Sequence, residues 1–164
     1  MAKQIKWKYC VSTTKSIISQ FQSTCLQDIN QIIVSEGGKN PPFTKEIAVN
    51  LDQYEVENAK KSKRNRYHTM DMVFAVIDHN SKYIILTELR LKYRNVNNLR
   101  KSELVQKIND SKQIIGYSIT FFSTYYFIFK NNLVQQASNK LRRLFLNKSN
   151  YVAINIYDLK SKFF

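Results

Sequence analysis

Residues Asp71 to Lys92, read DMVFAVIDHNSKYIILTELRLK, constrain this chain more than any other stretch. Two apolar runs flank a short polar turn, Asp78-His79-Asn80-Ser81-Lys82. That pattern predicts a β-hairpin over Met70–Ile77 and Tyr83–Tyr93. Asp and Asn suit the tight geometry of the turn. Asp71 opens the first run, and Glu88, Arg90 and Lys92 stand at alternate positions of the second. Alternate residues of a strand share a face. One acid and two bases therefore project together, beside the acid of the first strand. Desolvating an unpaired charge is expensive, so charge among buried strand positions calls for a reason. Two carboxylates on neighbouring strands, with a cation beside them, are what a site needs to hold a divalent metal against a phosphate.

The rest of the chain alternates helical and strand patterns. Ser16 to Ser35 reads as a helix, with Ile17, Ile18, Phe21, Cys25, Ile29, Ile32 and Ile33 near helical spacing. Gly37-Gly38 stops it, and Pro41-Pro42 keeps the following residues extended. Lys45–Leu51 predicts a short strand. Gln53–Arg66 is polar and ends in a basic run. Lys101–Ile115 predicts a helix ended by Gly116, Thr124–Phe129 an aromatic strand, Leu133–Phe145 a helix and Tyr151–Ile156 a last strand. A mixed sheet flanked by helices is the economical packing of such an α/β series. The helices over 101–115 and 133–145 should each make a right-handed crossover if they join parallel strands of one sheet.

The 164 residues suit one domain, with an N-terminal helix over about 16–35 and a core of sheet and helices over about 45–156. At 43% hydrophobic and 13% aromatic, the chain has the material for a packed core and is not a disordered tail. Its 26 Lys and Arg against 12 Asp and Glu give a formal charge of +14. Charge of that size bears on partners and favours polyanions, nucleic acid first. A coding bias toward Lys, Asn and Ile is the bland alternative. Lys60, Lys61, Lys63, Arg64 and Arg66 form a run without an acid, a candidate phosphate-binding segment as well as a candidate solvated loop. Cys10 and Cys25 make neither a metal motif nor a disulfide framework, which points to reduced thiols and a cytoplasmic location. The N-terminus lacks the apolar stretch of a signal peptide, and no segment has the length of a membrane span, so no membrane partner is expected.

Asp71 at the opening of one strand, the triad Glu88-Leu89-Arg90 at the end of the next, and the helix and strand that follow resemble the PD-(D/E)XK nuclease superfamily, or restriction-endonuclease-like fold. The resemblance spans most of residues 16–130. It implies an αβββαβ core and Mg²⁺- or Mn²⁺-dependent hydrolysis of phosphodiester bonds in DNA or RNA, with Asp71 and Glu88 as metal ligands. The family's usual Lys is Arg90 here, and Lys92, two residues on, is the candidate substitute. A subgroup carries Gln-x-x-x-Tyr on the next helix, and Gln113-Ile-Ile-Gly-Tyr117 fits that string. The implied catalytic set is Asp71, Glu88, Arg90, Lys92 and Gln113. Arg stays protonated and cannot act as a base, but it can clamp a phosphate bidentately.

Each of these features also has a plain reading. Glu88 and Arg90 could be an ion pair on an exposed sheet face. Asp71 could cap the strand start, and His68 could lie on the surface. Phe121, Phe122, Tyr125, Tyr126, Phe127 and Phe129 could stack bases, though core packing suits so apolar a strand better. The alternative function is a catalytically inactive module of the same fold that binds nucleic acid or an acidic protein partner. A homodimer stays open.

Overall fold

The computed structural model describes residues 7–18 and 24–164. The predicted hairpin is the centre of the molecule. β4 (Met72–Asp78) pairs antiparallel along its whole length with β5 (Ser81–Leu89), from Met72 opposite Thr87 to Asp78 opposite Ser81. His79 takes the positive φ of 50° that the two-residue turn requires. Side chains alternate across β4: Val73 and Ala75 enter one core, while Met72, Phe74 and Val76 enter another on the opposite face. The hairpin is therefore buried on both sides, which explains why its runs are nearly continuous in apolar residues.

The sheet grows outward from this pair in the order β2-β3-β4-β5-β7-β8. β2 (Leu26–Asp28) and β3 (Ile47–Asn50) extend it by antiparallel pairing on the β4 side. β7 (Tyr125–Ile128) and β8 (Tyr151–Ile154) extend it by parallel pairing on the β5 side. β1 (Lys8–Tyr9) and β6 (Thr120–Phe121) are short additions to β4 and β5. The result is an α/β architecture with a mixed open sheet flanked by helices. The helices α4 (Lys101–Ile115) and α5 (Val134–Leu144) each connect parallel neighbours. They pack on one face through Leu104, Ile108, Ala137 and Leu141, together with α1 (Val11–Ser16) and the start of α3 (Leu51–Lys61). The other face is covered by α2 (Ile29–Ser35) and α6 (Ile156–Phe163) through Ile29, Ile32, Ile33, Leu159 and Phe163. No helix among the described residues is long and apolar enough to cross a membrane.

Three sequence expectations change. The single helix over 16–35 is not formed: Leu26–Asp28 is a strand, and the helix begins only at Ile29, after Asp28. Residues 19–23 of that stretch lie outside the described residues. The polar segment 53–66 is mostly helix, and its inward positions Leu51, Glu55 and Ala59 recur every four residues. The chain also adds α6 after β8, with Asn155 capping it by accepting from the Asp158 N–H. Trp7 packs edge-on against Tyr83 and Phe122.

β4 depends on a side chain where strand pairing leaves a gap. β3 pairs with it at Met72 and Val73, and β1 at Val76 and Ile77. Between them the Ala75 N–H donates to Thr14 Oγ1 at 2.9 Å, and Thr14 Oγ1 donates to the Cys10 carbonyl at 2.7 Å. Thr14→Val keeps the shape and leaves that buried N–H without an acceptor. It should cost about 1–3 kcal/mol, read as a lower denaturation midpoint with an unchanged m-value.

Candidate functional site

Asp71 sits one residue before β4, and Glu88 near the end of β5. Both belong to the alternation that faces α4. Asp71 precedes Val73 and Ala75 on that face, and Glu88 follows Ile84 and Leu86. Three backbone links fix Asp71: its N–H donates to the Thr87 carbonyl, its carbonyl accepts from Leu51 N–H at the start of α3, and its Oδ2 accepts from Leu89 N–H at 2.7 Å. The two carboxylates are thus held at the same end of the hairpin, on one face.

Glu88 is only 1% exposed. Its Oε1 accepts from Lys107 Nζ at 2.6 Å and lies 2.9 Å from Arg90 Nη2. Arg90 reaches on to Glu103 Oε1 at 2.7 Å and donates to the Tyr93 hydroxyl. Glu103 and Lys107 are four residues apart and share a face of α4. Ser111, one turn further, locks that helix to the hairpin. It accepts from Met70 N–H at 2.8 Å and donates to the Lys107 carbonyl at 2.6 Å, while Asp110 accepts from His68 N–H.

Buried side-chain polar atoms without a partner are uncommon and call for an explanation. Among the described residues they are Thr69 Oγ1, Glu88 Oε2 and Arg90 Nε. Glu88 and Arg90 form the network itself, and Thr69 is two residues from Asp71. Burial pushes the Asp71 carboxyl up to about 8, with the nearby Glu88 charge adding to the rise and Glu36 contributing less. Lys107 and the Leu89 N–H act against it. Burial likewise pushes Glu88 up, against Lys107 and Arg90.

No three His, Cys, Asp or Glu side chains gather as a metal-holding group among the described residues. The pair nevertheless fits a hard divalent ion. Such an ion takes one or two carboxylates and completes its shell with water and phosphate. Glu88 Oε2 is an acceptor with no partner, beside a second carboxylate that its charge disfavours.

The other expected site residues lie elsewhere or serve other ends. β5 ends at Leu89, and the chain turns, so the alternation does not carry on to Lys92. Lys92 runs along Gly37 and donates to the Ser35 carbonyl at 3.3 Å. Gln113 is exposed on α4 and stands about 240° around the helix from Lys107, so it does not join the group. Gly116, at φ 81°, ends the helix before Tyr117, which is exposed. The Glu88–Arg90 pair exists, but it is buried and not on a wet sheet face.

The basic run divides. Arg64 makes a two-pronged bond to buried Glu55, at 2.8 and 2.9 Å, and lies over the Tyr67 ring. Arg66 pairs with Asp52. Both acids lie earlier on α3, so the run has acidic partners that its local sequence conceals. Lys60, Lys61 and Lys63 are exposed. The aromatic set of β7 is core: Tyr126, Phe127 and Phe129 are buried.

Sequence reasoning missed Lys107, Glu103 and Glu36. The available signal was the Glu103/Lys107 spacing on the helix after the motif. No family model matches the chain, and no curated protein or solved structure gives a significant match.

Two outcomes follow. In the folded chain Asp71 keeps its proton up to about pH 8, whereas an unfolded Asp loses it near pH 4. Between these values the folded state binds the extra proton, so stability falls as pH rises. Asp71→Asn should reduce that fall by about one proton over pH 5–8, as measured by denaturant unfolding at several pH values. Glu88 adds a contribution of the same sign, so some slope should remain. Second, Arg64→Glu should lower the unfolding midpoint, because it turns the Glu55 contact repulsive. Lys60, Lys61 and Lys63 reversed to Glu should leave stability unchanged and weaken any nucleic-acid binding, with a shallower salt dependence.

Proposed function

We propose that the protein is a divalent-metal-dependent nuclease that hydrolyses phosphodiester bonds of DNA or RNA at Asp71 and Glu88. One observation carries the reading: two carboxylates lie on one face at the same end of the central hairpin, and one oxygen of Glu88 is buried without a partner while Lys107 holds the other. The element order α2-β3-α3-β4-β5-α4-β6-β7 supports it, since with α3 and the two-residue β6 set aside as insertions it follows the αβββαβ order of the restriction-endonuclease-like core.

Mg²⁺ or Mn²⁺ at Asp71 and Glu88 Oε2 would supply an activated water and neutralise charge on the scissile phosphate. The chain's own groups divide the remaining work. Lys107, fixed by the helix that Ser111 anchors, provides the ammonium that the sequence pattern seeks at position 90. Arg90 stays protonated, and its bonds to Glu88 and Glu103 hold the end of β5 against α4. Arg90 and Lys107 together keep Glu88 ionisable despite burial.

A second reading has its own support. Glu88 Oε1 is already matched by two cations, as in a purely structural network. On that reading the chain is an inactive module of the same fold, which binds nucleic acid or an acidic protein surface through its charge.

Incubation with labelled single- and double-stranded DNA and RNA, with Mg²⁺ or Mn²⁺, separates the two. The nuclease reading expects metal-dependent cleavage that Glu88→Gln abolishes. Lys107→Met should slow cleavage by on the order of 10²-fold, and Lys92→Ala should not change it. Mn²⁺ should also raise the melting temperature of the wild type more than that of Asp71→Ala. Absence of cleavage on every substrate, with equal Mn²⁺ shifts, would leave the binding module as the better account.

A further inference from the structure

A cavity of about 280 Å³ opens at the ends of β7 and β8, on the edge of the sheet where the parallel strand β5 also ends. It is at the small end of ligand-sized pockets, with room for one nucleoside-sized group. Leu91, Phe129 and Ile156 give it apolar walls, and Tyr157 stands at the mouth with 56% of its surface exposed. Two lysines, Lys39 and Lys130, also line it, and no acid does. Both lysines are exposed, and neither makes an ion pair among the described residues. The walls are pinned together: Asn155 Nδ2 donates to Asn131 Oδ1 at 3.0 Å, which ties the start of α6 to the turn after β7. The cavity also adjoins the carboxylate site along the chain. Its wall residue Leu91 follows Arg90, and its wall residue Gly37 follows Glu36.

Apolar walls, an exposed aromatic ring and unpaired lysines make up the chemistry that holds an unstacked base while its phosphates meet cations. A small aliphatic ligand would not call for the lysines, and a free inorganic anion would not call for the apolar walls. A paired base cannot enter a recess of this size without leaving its partner. We propose that this cavity receives one unpaired base of a nucleic-acid strand, whose phosphates pass Lys39 and Lys130 on the way to Asp71 and Glu88. This rests on reading that site as a phosphodiester hydrolase, and it names the substrate class as single-stranded nucleic acid or a single-stranded end.

The test measures binding apart from cutting. Short oligonucleotides carrying one 2-aminopurine are titrated with the protein in EDTA, single-stranded and as blunt duplexes. The single strand should bind more tightly, with fluorescence quenched as the base stacks. Tyr157→Ala combined with Lys130→Glu should weaken single-strand binding about tenfold or more, while blunt-duplex binding changes little. Both side chains are exposed, so the variant should fold, and an unchanged melting temperature checks this. Equal binding of blunt duplex and single strand, or wild-type affinity in the double variant, would overturn the proposal. A mononucleotide that binds as tightly as the oligonucleotide would overturn its assignment to a strand. Cleavage by the wild type with Mn²⁺ on the same oligonucleotides is scored separately. No cutting with pocket-dependent binding removes the nuclease reading and leaves the base pocket standing. Cutting with pocket-independent binding removes the pocket alone.

Discussion

The contact on which the site depends is that of Lys107 Nζ with Glu88 Oε1, 2.6 Å apart at the end of the central strand. A carboxylate at 1% exposure is tolerable only with its charge matched and its oxygens bonded. Meeting that demand fixes the surroundings. α4 must lie over the end of β5 for Lys107 to arrive, and Ser111 holds it there through Met70. Arg90 must turn back toward α4 as the strand ends, where Glu103 receives it. Replacing a buried ion network by apolar groups of similar volume is often neutral or stabilising. Stability alone therefore gives little reason to keep this one, and the unpartnered atoms within it point the same way.

The hairpin explains how such a network can be held rigidly. β4 and β5 are packed on both faces, and their edges are covered by further strands. The backbone that carries Asp71 and Glu88 has little room to move. The glycines after α2 bring the neighbouring loop close. A Cβ on Gly38 would stand 2.3 Å from Ile33 Cγ2, and Gly37 has a φ of 94°. That loop carries Glu36 to the Asp71 side of the site and Gly37 to the wall of the cavity.

What the sequence disclosed follows from where pattern and packing agree. The hairpin, α4, β7 and α5 are long enough, or apolar enough, for their period to declare itself. α3 was hidden because one of its inward positions is Glu55, which is fully buried yet counts as polar in any hydropathy pattern. The stretch 16–35 misled because Cys25 and Ile29 fall at helical spacing although the chain is a strand over Leu26–Asp28. α6 has only eight residues, too few for its period to stand out from the strand before it. The site shows the same division. Asp71, Glu88 and Arg90 stood out as charges in apolar runs. Lys107 and Glu103 looked like ordinary residues of an amphipathic helix, and only tertiary packing gives them a task. Lys92 was misplaced because strand alternation was extended beyond the residue where pairing stops.

The charge of the chain gains meaning from the same geometry. A net +14 draws anions from a distance but does not say where they settle. Arg64, Arg66, Arg90 and Lys107 are matched by acids within the fold, so they add little to the outer field. The unmatched cations among the described residues include exposed arginines, Arg94, Arg100, Arg142 and Arg143, and exposed lysines, among them Lys39 and Lys130 at the cavity and Lys60, Lys61 and Lys63 at the end of α3. Four acids bear on one another near the end of the hairpin: Glu88 and Glu36 push Asp71 up, and Glu103 pushes Glu88 up. Left uncompensated, four acids would repel any anion that approached. Lys107 and Arg90 offset part of that charge. One buried oxygen of Glu88 still has no partner, so an added cation there would meet an acceptor that the fold leaves unbonded.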